Sequence, residues 1–518
     1  MLFLVECKIP VRASIDVIHV PTNYSTIQEA INYANPGDTI FVHTGTYYEH
    51  VVVNKSVSLV GEHRDSTIVD GNKNGSVIFI AANNVSIRGF TIRRSGTRPY
   101  DCGIFIEHSD GNDISHNTMT SNLDGISLYY SSNNMISDNI ISSNNYHGIS
   151  LYSSSNNLVL GNTIANNRDG IGFYSSSNNL VLGNTIANNR DGISLYYSSN
   201  NLVSGNTIAN NMDGMYFALY SSDNLVSGNT IANNMDGMYF ALYSSNNTVY
   251  LNNFNNTRQA RSDSTNVWDD GVEGNYWSDY AGQDPNTDGI GDNPYIIDAN
   301  NNDTHPLMGM FSIFEVSLKE KTYRVTTICN STISDFRFEI GPETGNKVIS
   351  FNVTDDDSTV GFCRVVIPTG LMRYPYIVLV DAEEIVPTLL GVSNETHAYL
   401  YFTYAHDSHS VRLISSKTLH LYNELLDKYV RLQIDLYNLN ATYYDLLNRY
   451  SVLLGNFSQL QANYSDLNNL YQRHLLDYSE KVSNLQNLMY IFAATTAIFL
   501  ITTIYLSKRV HSSKTSAR

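Results

Sequence analysis

Hydrophobic positions follow three different rhythms along the 518-residue chain. From about residue 103 to 258, apolar residues alternate in short bursts. In "GISLYYSSNNLVSGNTIANNMDG" the bursts are Ile193 and Leu195, then Leu202 or Val203, then Ile208. Period-two spacing is strand spacing, and the Asn, Ser, Gly and Asp between the bursts are turn formers. The unit recurs on a fixed glycine, at Gly103, Gly125, Gly148, Gly170, Gly192, Gly214 and Gly237. "SSSNNLVLGNTIANNRDGI" stands letter for letter at both 153–171 and 175–193. A short fixed period marks a unit that buries its apolar side only by stacking on its neighbours. Three strands and three turns per unit predict the rungs of a parallel β-helix. The L-x-x-L-x-L frame of leucine-rich repeats and any 3.6-residue helical period are absent. Stacked rungs set equivalent residues about 4.8 Å apart. The Asn pairs 133/134, 156/157, 178/179, 200/201 and 246/247 then form one amide ladder. Asn117, Asn139, Asn162, Asn184, Asn206 and Asn229 form another, each amide donating and accepting.

The second rhythm occupies 311–415, where "KTYRVTTICN", "VISFNVT", "GFCRVVIP", "YIVLVDAEEIV", "HAYLYFTY" and "HSVRLIS" read as six or seven strands of a small β-sandwich. The third begins at Tyr422. Aromatic residues or leucine recur every seven residues to Leu485, with leucine three behind from Leu425 to Leu467; His474 and Lys481 are polar d positions before Leu488. This a/d heptad predicts a coiled-coil stalk over 416–487 and a homo-oligomer. Gly455 is the one place for a hairpin, and the continuous register argues against it. Residues 488–506, "LMYIFAATTAIFLITTIYL", carry no charge and are long enough to span a bilayer. Lys508, Arg509, Lys514 and Arg518 follow, so 507–518 is expected in the cytoplasm and everything before 488 outside the cell membrane.

At the other end, Ser25 with Gln28 forms a capping box for a helix over 25–34, ended by Gly37 and placed to cover the open first rung. The solenoid is expected over 18–265, with 266–310, rich in Asp, Gly and aromatics, closing its far end. Export needs a signal, yet the apolar run Met1–Val5 is shorter than the usual core of about 7–15 residues. Residues 1–17 are therefore expected to be the remnant of a leader that starts upstream.

A net charge of −18 with no basic stripe argues against nucleic acid as a partner. Four cysteines are too few for a disulfide scaffold; Cys329 and Cys363 share a domain and could pair, and Cys102 is expected as a buried thiol. Thirteen N-x-S/T sequons, from Asn23 to Asn463, all precede the anchor and favour an exported glycoprotein. Asn440, Asn456 and Asn463 flank the heptad seam, where glycans would crowd a tight bundle.

"PTNYSTIQEAINYANPGDTIFVHTGTYYE", the N-T-I and D-G-I rungs and the ending W-D-D-G, G-N-Y-W-S-D-Y, D-G-I-G-D and P-Y-I-I-D together resemble the NosD-like right-handed parallel β-helix proteins of archaea. The resemblance covers about residues 18–308. It implies the right-handed fold, which that family shares with carbohydrate-binding and sugar-hydrolysing β-helices. The family name comes from periplasmic proteins tied to copper loading, and fold does not imply function.

Three features could carry chemistry. Asp124, Asp169, Asp191, Asp213 and Asp236 form an acidic column interrupted by His147, expected as solvated turn residues with Arg168 and Arg190 beside them, with cation binding and then catalysis as the alternatives. Tyr129, Tyr152, Tyr174, Tyr196, Tyr216 and Tyr239 should face outward, as glycan-stacking surfaces or as a tyrosine ladder that stiffens the sheet or meets another protein, with Tyr130, Tyr197, Tyr220 and Tyr243 in the same aromatic belt. Asp284, Asn286, Asp288, the Ile290 carbonyl and Asp292 follow the spacing of a Ca²⁺ loop, with Tyr295 where the bidentate Glu belongs. Copper is weakly supported, because the columns offer Asp, Asn, Ser and Tyr. The repetition favours a non-enzymatic surface protein that binds glycans or envelope polymers. A polysaccharide lyase or glycoside hydrolase on the same fold is the alternative, which one non-repeating cluster of acids and a base would favour.

Overall fold

The computed structural model describes residues 16–355 and 360–512. The leader expected at 1–17 lies almost wholly outside them, as do Cys7 and the last six residues.

Three parallel sheets wind through the first half of the chain as a right-handed β-helix. Two have eleven strands, running from Val17–Val20 to Thr248–Tyr250 and from Gly45–Tyr47 to Tyr276–Trp277. The third has ten, from Val51–Val53 to Arg258–Ser262. Each regular rung gives one strand to each sheet, as in Leu158–Leu160, Thr163–Ala165 and Asp169–Tyr174. The alternate apolar residues Val159, Ile164, Ile171 and Phe173 are fully buried in one continuous core. The repeated glycine is needed because rungs touch there: a Cβ on Gly170 would come within 2.4 Å of the Gly192 carbonyl oxygen.

The asparagine pairs divide their work. The first of each pair, Asn133, Asn156, Asn178, Asn200 and Asn246, turns the corner with φ between 58 and 59°, a conformation Asn tolerates. The second is buried in a ladder. Asn117 to Asn275 make a second ladder; in it Asn162 Nδ2 donates to Asn184 Oδ1 at 3.0 Å and Asn184 Nδ2 to Asn206 Oδ1 at 3.0 Å. Each Oδ1 also accepts a backbone N–H from the rung before, as Asn184 does from Asn162 at 2.9 Å. A third ladder, unforeseen, runs from Asn122 through Asn144, Asn167, Asn189 and Asn211 to Asn234.

The helix over the first rung is Ile27–Tyr33. Its N-cap is Thr26, whose Oγ1 accepts the Glu29 N–H at 3.1 Å, while the Glu29 carboxylate reaches back to Ser25. The box expected from Ser25 and Gln28 does not form, because Thr26 takes the cap and the Gln28 amide turns to Asn32 and Val52; Glu49 takes the free N–H groups of Ile27 and Gln28. At the far end Trp268 and Trp277 are buried, Trp277 stacking between Phe254 and Tyr295 with centroids 4.5 and 4.3 Å away.

Beyond the cap, two five-stranded antiparallel sheets share a core that includes Val325, Phe351, Val365, Leu400 and Leu413. Cys329 and Cys363 lie opposite each other there as buried thiols, sulfurs 2.8 Å apart. Arg364, almost fully buried, reaches out of this module to Glu273 of the solenoid cap at 2.8 Å.

The second unit of the chain is helical. One uninterrupted helix runs Lys417–Ser512, through Gly455 and the apolar segment. It contains a stretch long and apolar enough to cross a membrane.

Candidate functional site

The ten-stranded sheet carries the candidate chemistry on its outer face. In register across the rungs stand His147, Asp169, Asp191, Asp213, Asp236 and Arg258, with Asp124 in the rung before His147. Three residues on comes the column Ser127, Ser150, Gly172, Ser194, Tyr216 and Tyr239. Two further on stand Tyr129, Tyr152, Tyr174 and Tyr196.

The six candidate tyrosines thus belong to two columns, yet their rings form one unbroken ladder. Successive centroids from Tyr129 through Tyr152, Tyr174, Tyr196 and Tyr216 to Tyr239 are 6.4, 4.6, 5.2, 5.8 and 5.3 Å apart. All six are half-buried. At Gly172 the missing side chain makes room for the Tyr174 ring, whose Cε2 would lie 3.1 Å from a Cβ there. Burial, then nearby Asp191, raises the Tyr196 hydroxyl to about 12. The freely exposed aromatics form a separate row at the corner after this sheet. Tyr197, Tyr220 and Tyr243 are 54%, 60% and 70% exposed, with centroids 6.4 and 5.3 Å apart and planes within 23°.

The acidic column is buried, contrary to the solvated turns expected. Its charges are met by cations. Arg190 binds Asp191 at 2.7 Å and reaches Asp169 at 3.6 Å; Arg258 and Arg261 hold Asp236 at 2.5 and 3.1 Å. Arg168 lies instead over the Tyr146 ring, 4.4 Å from its centroid. Asp213 is the strained member: burial, then Asp191 and Asp236, pushes its carboxyl up to about 6. Asp169 is raised by burial and then by Asp191. His147 is fully buried between acids, Nδ1 3.3 Å from Asp124 Oδ1 and Nε2 3.6 Å from Asp169 Oδ2, with the Tyr174 hydroxyl 2.9 Å from Nε2.

The 284–292 loop uses its carboxylates on itself. Asp284 accepts the N–H groups of Asp288 and Gly289 at 3.1 and 2.8 Å, Asp288 accepts that of Ile290 at 2.9 Å, and Asn286 donates to Asp292 at 3.2 Å. Burial, with added repulsion from Asp288 and Asp292, raises the Asp284 carboxyl. Among the described residues no three His, Cys, Asp or Glu side chains are gathered as a ready-made metal site. A cation would have to draw these oxygens away from the amides they cap.

Comparison with known proteins places the solenoid. The family model described as "Periplasmic copper-binding protein (NosD)" matches residues 155–282, and that described as "Right handed beta helix region" matches 75–218. The solenoid is a NosD-like right-handed parallel β-helix. The chain is 34% identical over 110 residues to a cell surface glycoprotein of Methanothermus fervidus; the match spans 21% of this chain and 17% of that relative. Among solved structures it is similar to the Dettilon tailspike protein, at 14% identity and TM-score 0.42 over 77% of this chain and 93% of that one. It is also similar to the A-module of the Azotobacter vinelandii mannuronan C-5 epimerase AlgE6, at 16% identity and TM-score 0.36, covering 48% and 86%.

The family description names copper, and the donor set does not fit it. Residues 155–282 contain no His and no Cys. Of their four methionines, Met215 and Met238 are buried in the solenoid core, which leaves Met212 and Met235. Copper sites draw on Cys, Met and His.

Proposed function

We propose that this chain is a membrane-anchored surface glycoprotein that presents a glycan-binding β-helix on an oligomeric stalk. The row Tyr197, Tyr220 and Tyr243 carries the binding reading. Three exposed, nearly parallel rings on a rigid rung edge offer stacking faces with polar tips, and their repeat suits a polymer with a repeating unit. The half-buried ladder Tyr129, Tyr152, Tyr174, Tyr196, Tyr216 and Tyr239 supports that row as a stiff floor. The anchor is 488–506, with the basic tail in the cytoplasm and the β modules outside. The two antiparallel sheets act as a small sandwich joining solenoid to stalk.

The stalk reading rests on exposure. In the single helix Tyr422, Leu425, Tyr450 and Leu453 are each at least 60% exposed, as is most of the a/d seam. A partner of the same kind buries it. Copies anchored in one membrane run parallel, in register from the anchor upward.

The test is a glycan array probed with the full chain in detergent micelles. Binding to extended polysaccharides is expected, and Tyr220→Ala is expected to weaken it at least tenfold. Wild-type protein that binds no polymer on the array would end this reading.

A further inference from the structure

One departure from the repeat involves three columns and two neighbouring rungs. His147 replaces the column aspartate, Tyr146 precedes it where later rungs have Arg168, Arg190, Met212 and Met235, and Gly172 stands where its neighbours are Ser150 and Ser194. The changes fit one another. A Cβ on Gly172 would lie 3.1 Å from both His147 Cδ2 and Tyr174 Cε2, so the absent side chain leaves the space in which imidazole and phenol meet. The Tyr146 ring packs edge-on against that imidazole, with centroids 4.2 Å apart.

The chain is also longer here. Residues 94–101 join Thr91–Arg93 to Cys102–Glu107, whereas three residues, 121–123, make the next such turn. This loop is pinned: Gly96 N–H donates to Gly75 O at 2.8 Å, Arg98 N–H to Asp101 Oδ2 at 2.8 Å, and Ser95 Oγ accepts the Leu123 N–H at 2.9 Å. It stands as a wall, and Pro99 and Tyr100 face Asp124, Tyr146 and Tyr152 across a cleft of about 310 Å³. That volume is at the small end of ligand sites, which run from about 300 to 1,000 Å³.

Asp124 is the charged group in this cleft, which Thr97 also lines, and it is held still. Its Oδ1 accepts the His147 N–H at 3.0 Å and faces Nδ1 at 3.3 Å, while Oδ2 accepts Ser150 Oγ at 3.1 Å. A carboxylate has about four acceptor positions, so one remains for a ligand. On the far side of His147, Asp169 is paired instead with Arg190, its Oδ1 3.6 Å from Arg190 Nε.

We propose that this cleft is a subsite for one neutral pyranose unit of a polysaccharide. The tyrosine rings take the apolar faces of the sugar, and the fixed Asp124 carboxylate accepts one hydroxyl. His147 is a positioning residue that aims Asp124. A uronate is rejected, because its charge would meet that of Asp124 in a half-enclosed site. This assignment rests on the glycan-binding reading and adds to it a class of sugar and a fixed point on the polymer.

The experiment is affinity electrophoresis of the full chain in detergent, in gels holding dextran, mannan, galactan or polygalacturonate, with tetramethylammonium as competitor. Retardation by at least one neutral polymer, and none by polygalacturonate, is the expected result. Asp124→Asn and Tyr100→Ala should each weaken it at least tenfold; Tyr100 is half-exposed, so its loss leaves the fold intact. If both variants are retarded like wild type while Tyr220→Ala is not, the cleft is overturned and the surface row stands. Failure of every polymer to retard the wild type overturns both. Retardation by polygalacturonate, or competition by tetramethylammonium that Asp124→Asn removes, overturns the neutral-sugar assignment.

Discussion

Asn253 holds Phe311 by both of its backbone groups. Its Nδ2 donates to the Phe311 carbonyl at 2.8 Å and its Oδ1 accepts the Phe311 N–H at 2.8 Å. One side chain in the last rungs of the solenoid thus mimics a strand neighbour for the first strand of the next module, Met310–Leu318. Ile290, Leu307, Phe311, Ile328 and Phe362 close over the junction. Leaving two buried backbone groups unpaired costs roughly 1–3 kcal/mol each. Asn253→Ala should therefore lower the first thermal transition of the full chain and open the 300–312 segment to protease. Asn255→Ala, which is exposed, should do neither.

The inner ladder makes a sharper demand. Asn184 accepts two N–H groups from Asn162 and donates to Asn206 Oδ1, Val159 O and Leu182 O. Asn184→Ala strips all five partners inside the core and should cost about 3 kcal/mol or more. Asn188→Ala, at an exposed turn with φ 57°, should cost well under half of that, as read by urea unfolding.

The solenoid and its caps were legible because a 22-residue period with alternating apolar bursts leaves one economical solution. The third ladder was equally visible in letters, at Asn167 and Asn189, but the doublets "NN" do not say which member turns the corner and which goes inside. How deeply the tyrosine rings are buried was not legible, for a physical reason. Alternation fixes the side of a sheet on which a residue emerges, not whether its ring then lies down over small neighbours such as Ser150 and Gly172. Contacts between modules were beyond reach, since nothing local ties Arg364 to Glu273.

Asp213 gives a pH signature. Its folded value of about 6 exceeds the unfolded value of about 3.9. The folded state therefore binds more protons than the unfolded one between these limits. Its contribution is favourable at low pH and is lost as pH rises from about 4 through 6. A shift of this size corresponds to a loss of about 2–3 kcal/mol. Asp213→Asn should thus raise the melting temperature at pH 7 and leave it unchanged near pH 4. An equal gain at both values would show that the carboxylate is not the strained group.

The stalk should fail at its seam and nowhere else. Leu453→Asp places a charge at a d position of the heptad, whereas Asn448→Asp, on the opposite side of the helix, adds the same charge away from it. Sedimentation of the full chain in detergent should show an oligomer for wild type and Asn448→Asp, and monomer for Leu453→Asp. A wild-type monomer would remove the stalk association altogether.

Calcium is the remaining test of the 284–292 loop. Asp284 is half-buried and its carboxyl is raised, first by burial and further by Asp288 and Asp292. The repulsion is therefore not fully quenched by the amides of Asp288 and Gly289 that Asp284 accepts. A hard divalent cation taking oxygens from Asp284, Asn286, Asp288, the Ile290 carbonyl and Asp292 would remove it. The loop packs on the next module, where a Cβ on Gly289 would meet Arg364 and Phe362 at 3.3 Å, so stiffening it would stiffen the junction. A ligand that binds only the folded state stabilises it by about 2.7 kcal/mol at a hundredfold excess over Kd. Millimolar Ca²⁺ should thus raise the melting temperature of the wild type. Asp288→Ala should abolish the rise and, in the absence of calcium, melt close to the wild type, because it loses one N–H acceptor but also one repelling charge. Identical melting with and without calcium in both proteins would make the loop a self-capped turn and nothing more.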